Sequence, residues 1–213
     1  MTFHAALKTA LLDQVGKDWI VFMPQWEVQR RVPWRANAHR PNAMVIHHTA
    51  AAATDSTNPK APGNQKGANQ GVINFIQTHY TVPAANCTLD RDGTVYIHSA
   101  YPIWHAGLGS FRGKSPWSTL GIPDDMGNDY MAGVEVMSKG LKRDWTVAQQ
   151  DSLVFLLRAW RDAAGWDSIG LLRRPRHRDW TTRKVDPVYS NAEIGGMILK
   201  YGFVSGVPTT HTA

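Results

Sequence analysis

The run Met44-Val45-Ile46-His47-His48-Thr49-Ala50 joins three apolar side chains to two imidazoles and then to small residues. It predicts a hydrophobic strand over 43–49 that ends in polar chemistry. Adjacent side chains on a strand point to opposite faces, so one of His47 and His48 at most faces a shared site. The residues themselves do not say which. A histidine at a strand end is also a common hydrogen-bonded core residue, so the pair alone defines no site.

Working outward, 50–67 is rich in Ala, Asn, Pro and Gly and reads as a loop, the usual place for functional groups after a strand. Val72, Ile73, Phe75, Ile76 and Tyr80 then recur at helical spacing. Asn86–Asp90 and Thr94–His98 flank Arg91-Asp92-Gly93, a hairpin signal. Residues 99–130, with many Gly, Pro and Trp, read as a long irregular connection. Gly133-Val134-Glu135-Val136-Met137 is a further buried strand with one carboxylate in its middle, and that carboxylate needs a reason to be there. Thr146 with Gln149 forms a capping box ahead of Val147, Leu153, Val154, Leu157 and Trp160, and Gly165 stops the helix. A last helix starts at Ser190, capped with Glu193. On the N-terminal side, 3–15 reads as a short amphipathic helix and Trp19–Met23 as a strand ended by Pro24. The division expected is an N-terminal extension over 1–35, a catalytic-sized domain over 36–205 and a flexible tail over 206–213.

A chain of 213 residues with 43% hydrophobic and 10% aromatic content is enough for one well-packed domain. Its apolar runs fall far short of the roughly 20 residues of a membrane span. The N-terminus shows no basic leader with an apolar block and small-residue cleavage site, so a secretory signal peptide is not expected. The single cysteine, Cys87, excludes an internal disulfide and a thiolate metal cluster, and reads as a small buried hydrophobe. A net charge of +6 predicts attraction to a polyanion. The basic residues are scattered, and neither a helix-turn-helix nor an aromatic RNA-binding signature is present, which favours the bacterial cell wall over nucleic acid.

The second concentration of chemistry is Arg176-His177-Arg178-Asp179-Trp180-Thr181-Thr182-Arg183-Lys184-Val185-Asp186-Pro187. A loop can fold His177 and Asp186 onto one ion, and zinc takes imidazole nitrogen and carboxylate oxygen, with three protein ligands in catalytic sites. The plainer alternative is a solvated basic loop with Asp179 and Asp186 paired to arginines.

Ile46-His47-His48-Thr49-Ala50, Arg91-Asp92-Gly93-Thr94-Val95-Tyr96, Trp104-His105-Ala106-Gly107, Asn128, Gly133-Val134-Glu135-Val136 and His177-Arg178-Asp179-Trp180 through Lys184-Val185-Asp186-Pro187 occur in one order. Together they resemble the type 2 N-acetylmuramoyl-L-alanine amidases, relatives of the peptidoglycan recognition proteins, over about residues 40 to 200. With no signal peptide visible, the chain is most similar to a bacteriophage endolysin.

The resemblance implies an α/β fold, a central mostly mixed β-sheet flanked by helices, with one zinc ion in a groove on one face. It implies His47, His177 and Asp186 as ligands, with His48 structural. It further implies Glu135 as general base and acid and Lys184 as the cation facing the substrate carbonyl. Weaker substrate-contact candidates are His105, Trp104 and Asn128; Trp117 and Tyr101 serve as groove walls or core. Some phage members carry a tyrosine shortly before the hairpin, whereas Pro83-Ala84-Ala85-Asn86-Cys87 has no phenol, so proton transfer falls to Glu135. The implied substrate is bacterial peptidoglycan, cut between N-acetylmuramic acid and L-alanine by a monomer made in the host cytoplasm for cell lysis. A non-catalytic peptidoglycan-binding module is the alternative.

Overall fold

The computed structural model describes residues 1–30 and 40–201. The expected boundary at 35/36 and the tail at 206–213 lie outside the described residues. Five strands, β1 (Ile20–Phe22), β2 (Ala43–His48), β3 (Cys87–Leu89), β4 (Val95–Ile97) and β5 (Met131–Val136), form one sheet in the order β1-β4-β3-β5-β2. β3 and β4 are the antiparallel hairpin anticipated around Arg91-Asp92-Gly93, while β1–β4, β3–β5 and β5–β2 are parallel. The sheet is therefore mixed, as expected. At the hairpin tip Gly93 has φ +96°, a conformation L side chains rarely adopt, and Asp92 Oδ1 accepts from Thr94 N.

Six helices accompany the sheet among the described residues: α1 (Phe3–Gln14), α2 (Gln70–Thr78), α3 (Gly127–Tyr130), α4 (Val147–Ala164), α5 (His177–Trp180) and α6 (Asn191–Lys200). The capping boxes of α4 and α6 form as the sequence anticipates, with Thr146 and Ser190 accepting from the backbone N–H of Gln149 and Glu193. Leu153, Val154, Leu157 and Trp160 are buried, but Val147 at the first turn is exposed. α2 stops at Thr78, so Tyr80 falls beyond the helix rather than on its apolar face.

Strand alternation sorts the core into two sides. Met44 and Ile46 of β2 and Ala132, Val134 and Val136 of β5 meet Leu7 and Leu11 of α1 and the apolar stripe of α4. Each such side chain, fully buried, contributes about 1.5–3 kcal/mol over an exposed one. On the opposite side Ala43, Val45 and Met131 meet Phe111, Trp117 and Trp180. The N-terminal segment is thus built into the sheet and its main core, through β1 and α1. Cys87 is fully buried, and burial raises its thiol pKa.

The ends of β2 and β5 open into loops that one arginine ties together. Arg91, almost fully buried, donates to the carbonyls of Ser56 (2.6 Å), Asp144 (2.7 Å) and Met137 (3.2 Å), and pairs with the Asp144 carboxylate at 3.3 Å. It fixes the loop after β2 against the turn after β5. An unpaired guanidinium there would cost several kcal/mol, so full satisfaction is what makes its burial tolerable.

Candidate metal centre

His47 shares the face of Val45, the side with Phe111 and Trp180, and in the parallel register it lies directly beside Glu135. Alternation thereby turns His47, itself fully buried, toward Glu135, His177 and Asp186, which line the groove. His48 sits at the strand end on the groove rim with its ring against Gly140, where a Cβ would come within 2.6 Å of the imidazole. The outer edge of β2 bonds a segment far along the chain: Ile46 N donates to Pro175 O at 2.9 Å and Ile46 is bridged to Arg176. One residue further on, His47 and His177 stand side by side with ring centroids 4.3 Å apart.

The loop after α5 returns Asp186 to this pair because Arg178 N donates to Asp186 O at 3.0 Å. Asp186 Oδ2 lies 3.2 Å from His177 Nδ1 and 3.6 Å from His47 Nδ1. Donor atoms at 2.0–2.1 Å from a tetrahedral ion are about 3.3 Å apart, so this spacing suits a small cation with N, N, O ligands. All three residues are buried, and they can hold a metal ion together. Asp179, by contrast, pairs with Arg176 at 2.7 Å and anchors α5. The two carboxylates of this loop therefore do different work, and Asp186 has no arginine partner among the described residues.

Electrostatics single out the same groups. Burial, with the charge of His177, pushes His47 down to about 4. Burial alone would raise the Asp186 carboxyl, but the hydrogen bonds and charge of His177 and His47 outweigh it and hold it well below the usual range. Burial, then the charge of Asp186, drives Glu135 up to about 8, with Lys184 opposing. Glu135 is half-buried as a residue, yet its Oε2 is shut off from solvent and has no hydrogen-bond partner among the described residues. A carboxyl held in that state beside a metal-capable cluster is a candidate for acid–base chemistry.

Glu135, His177 and Asp186 open onto a groove of about 970 Å³ that Lys184, Trp104 and Asn128 also line. Lys184 is exposed on the loop that carries Asp186. Trp104 is 41% exposed on the wall. His105 and Asn128 lie deeper: the His105 ring stands between His47 and the Met131 carbonyl, and Asn128 Oδ1 accepts from the N–H groups of His105 and Ala106. Trp117 is buried in the core with Phe111, and Tyr101 packs on the main core, bonding His4 at 2.9 Å. Sequence reasoning missed Tyr80, Leu108, Asp125 and Arg183, all of which line the groove. Tyr80 was hidden in what reads as a continuing helix face. It brings a half-exposed phenol ring to the groove although the stretch just before the hairpin has none.

Fold and site together define an α/β protein with a metal-capable His-His-Asp cluster and a shielded acid at the ends of two parallel strands. A family model described as N-acetylmuramoyl-L-alanine amidase matches residues 37–189, and the chain belongs to that family, the type 2 amidases related to peptidoglycan recognition proteins. Among solved structures it is similar to a selenomethionine derivative of AmpD (TM-score 0.51, 19% identity, 84% of this chain and 99% of that one). It is also similar to the endolysin N-acetylmuramoyl-L-alanine amidase LysCS of Clostridium intestinale URNW (0.50, 16%, 83% and 93%). A third likeness is peptidoglycan recognition protein LE, solved with tracheal cytotoxin (0.52, 15%, 78% and 85%). At these identities the likenesses establish the fold. No curated protein matches the chain. No helix among the described residues is long and apolar enough to cross a membrane.

Proposed function

We propose that this protein is a zinc-dependent N-acetylmuramoyl-L-alanine amidase that hydrolyses the amide between N-acetylmuramic acid and L-alanine in bacterial peptidoglycan, as a monomeric phage-type lysin made in the host cytoplasm. Its catalytic domain spans residues 36–205, with α1 and β1 of the N-terminal segment packed into the same sheet and core. The observation that carries the proposal is the meeting of His47, His177 and Asp186 beside a carboxyl, Glu135, whose Oε2 faces no partner. A module that merely bound muropeptides would have no use for a shielded acid next to three metal-capable donors, and this favours hydrolysis.

His47, His177 and Asp186 would hold the ion, and zinc there supplies Lewis acidity, which polarises a carbonyl and makes water acidic enough to attack near neutral pH. Glu135 takes a proton from the attacking water as the new C–O bond forms. The same carboxyl then gives that proton to the alanine nitrogen as the C–N bond breaks, leaving a lactyl carboxylic acid and an amine, which exchange a proton to become carboxylate and ammonium. Glu135, raised by burial and by the charge of Asp186, would be eased toward its basic form by the charge of an ion held at His47, His177 and Asp186. Lys184, exposed on the groove, offsets negative charge developing on the carbonyl oxygen. Trp104 and Tyr80 present flat apolar faces to the groove, suited to sugar or peptide stem.

Purified protein is expected to release new N-terminal alanine from purified peptidoglycan, to stop on treatment with a strong chelator, and to resume with added zinc. Stoichiometric zinc binding with no new alanine amine sinks the amidase assignment. Release of alanine that ignores chelation removes zinc from it.

A further inference from the structure

The two imidazoles of the cluster can each present either nitrogen, and a metal takes the one without hydrogen. What selects that nitrogen lies behind the site. His177 Nε2 is 3.2 Å from the Ala106 carbonyl, which can accept but not donate, so once an ion displaces the Nδ1 hydrogen bond to Asp186 the ring keeps its hydrogen on Nε2 and the Nδ1 lone pair faces the ion. His105 Nε2 is 2.7 Å from the Met131 carbonyl, so it too carries hydrogen there. His105 Nδ1 is then an acceptor, and it stands 3.2 Å from His47 Nε2. With an ion bound, His47 donates through Nε2 and leaves Nδ1, which lies 3.6 Å from Asp186 Oδ2, to face the ion. Two main-chain carbonyls, one direct and one relayed through His105, therefore set both imidazoles to the same tautomer.

Both supports belong to one turn. Asn128 Oδ1 accepts from His105 N (2.9 Å) and from Ala106 N (2.7 Å), so one side-chain oxygen fixes the ring behind His47 and the carbonyl behind His177. The opposite wall leaves His105 no slack: at Gly133, beside it on β5, a Cβ would lie 2.6 Å from the ring. Asn128 is buried and His105 half-buried among these partners.

We infer that His105 and Asn128 are positioning residues of the metal centre, Asn128 by holding the 105–106 turn and His105 by relaying the Met131 carbonyl to His47. The inference rests on the zinc reading above and extends it to the groups that orient the ligands. Partners of this kind are typically worth about 10- to 100-fold in metal affinity.

Two measurements test it, both on the full chain. In zinc-loaded protein carrying 15N-labelled histidine, nitrogen NMR is expected to show His47 and His177 ligated through Nδ1 with hydrogen on Nε2, and His105 with hydrogen on Nε2 alone. Ligation of His47 through Nε2, or hydrogen on His105 Nδ1, overturns the relay. In chelator competition, His105→Phe and Asn128→Leu are expected to weaken zinc by about 10- to 100-fold. Asn128→Asp, which keeps an oxygen acceptor for both N–H groups, is expected to stay within about threefold of the parent, a rescue that a mere packing role would not give. Parental zinc affinity in both disruptive variants overturns this inference alone. A parent chain that binds no zinc overturns the amidase reading and this inference with it. Should Asn128→Leu fail to fold, the NMR assignment on the parent decides.

Discussion

Gly133→Ala adds one methyl group at the point where sheet and metal centre share atoms. The Cβ would sit 2.6 Å from both Cγ and Nδ1 of His105 and 3.0 Å from its Cβ. Comfortable carbon contacts are about 3.5–4.0 Å, so the ring must retreat by about 1 Å. That ring is held by bonds of 2.7 Å to Met131 O and 3.2 Å to His47. A hydrogen bond does not survive 1 Å of stretching, so at least one of the two is lost. Overpacking of this kind costs about 1–3 kcal/mol, which for a chain of this size lowers the melting temperature by about 2–12 °C. If His105 orients His47, zinc affinity falls with it, by about tenfold or more. Thermal unfolding with chelator present and zinc competition in its absence read the two effects separately. Gly196→Ala is the control: that glycine lies within α6 with nothing near its missing Cβ, so alanine there is expected to stabilise by about 0.5–1 kcal/mol. A Gly133→Ala protein that melts like the parent and binds zinc as tightly would refute the reasoning.

Glu135→Gln is expected to keep zinc while turnover falls by about 100- to 10,000-fold, measured as alanine amine released from peptidoglycan; undiminished turnover would move the proton-transfer role elsewhere. His98 gives a pH signature remote from the metal ligands. Burial pushes it down to about 3, and the neutral ring is what its neighbours fit, with Nδ1 donating to Gln77 Oε1 and Nε2 accepting from the Thr88 hydroxyl. Because the unfolded chain takes up the proton near pH 6.5 and the folded chain resists it, stability is full above that pH and declines as pH falls toward 3. Between pH 7 and 5 the parent is expected to lose about 2 kcal/mol more than His98→Gln in chemical denaturation, and parallel losses would show that His98 is not the group responsible.

Much of this was readable from local pattern. The Thr146–Gln149 and Ser190–Glu193 boxes, the Arg91-Asp92-Gly93 turn and the β-prone runs each depend on neighbours within a few residues, and each forms where expected. What could not be read depends on distant pairing. Choosing His47 over His48 requires knowing that Val45 faces Phe111 and Trp180, and that Pro175 and Arg176 lie along the edge of β2. The groove positions of Arg183, Asp125 and Tyr80 likewise arise from loops meeting in space, where no periodicity exists to betray them. Asn128 and His105 stood out as candidates for touching substrate, while their hydrogen bonds run inward, toward His47 and the backbone.

The pairing of His47 with Glu135 across two parallel strands has one more consequence. In a sheet, slipping one strand by a single residue exchanges its faces. A slip of β2 against β5 would turn His47 away from His177 and Asp186 and break its pairing with Glu135. Such a misfolded sheet would bury nearly as much apolar surface as the correct one, since Met44, Val45 and Ile46 are all hydrophobic. On the zinc reading proposed above, ion capture would tell the two apart: it would add its binding energy to the one alignment that brings His47, His177 and Asp186 together, and withhold it from near misses that hydrophobic packing tolerates.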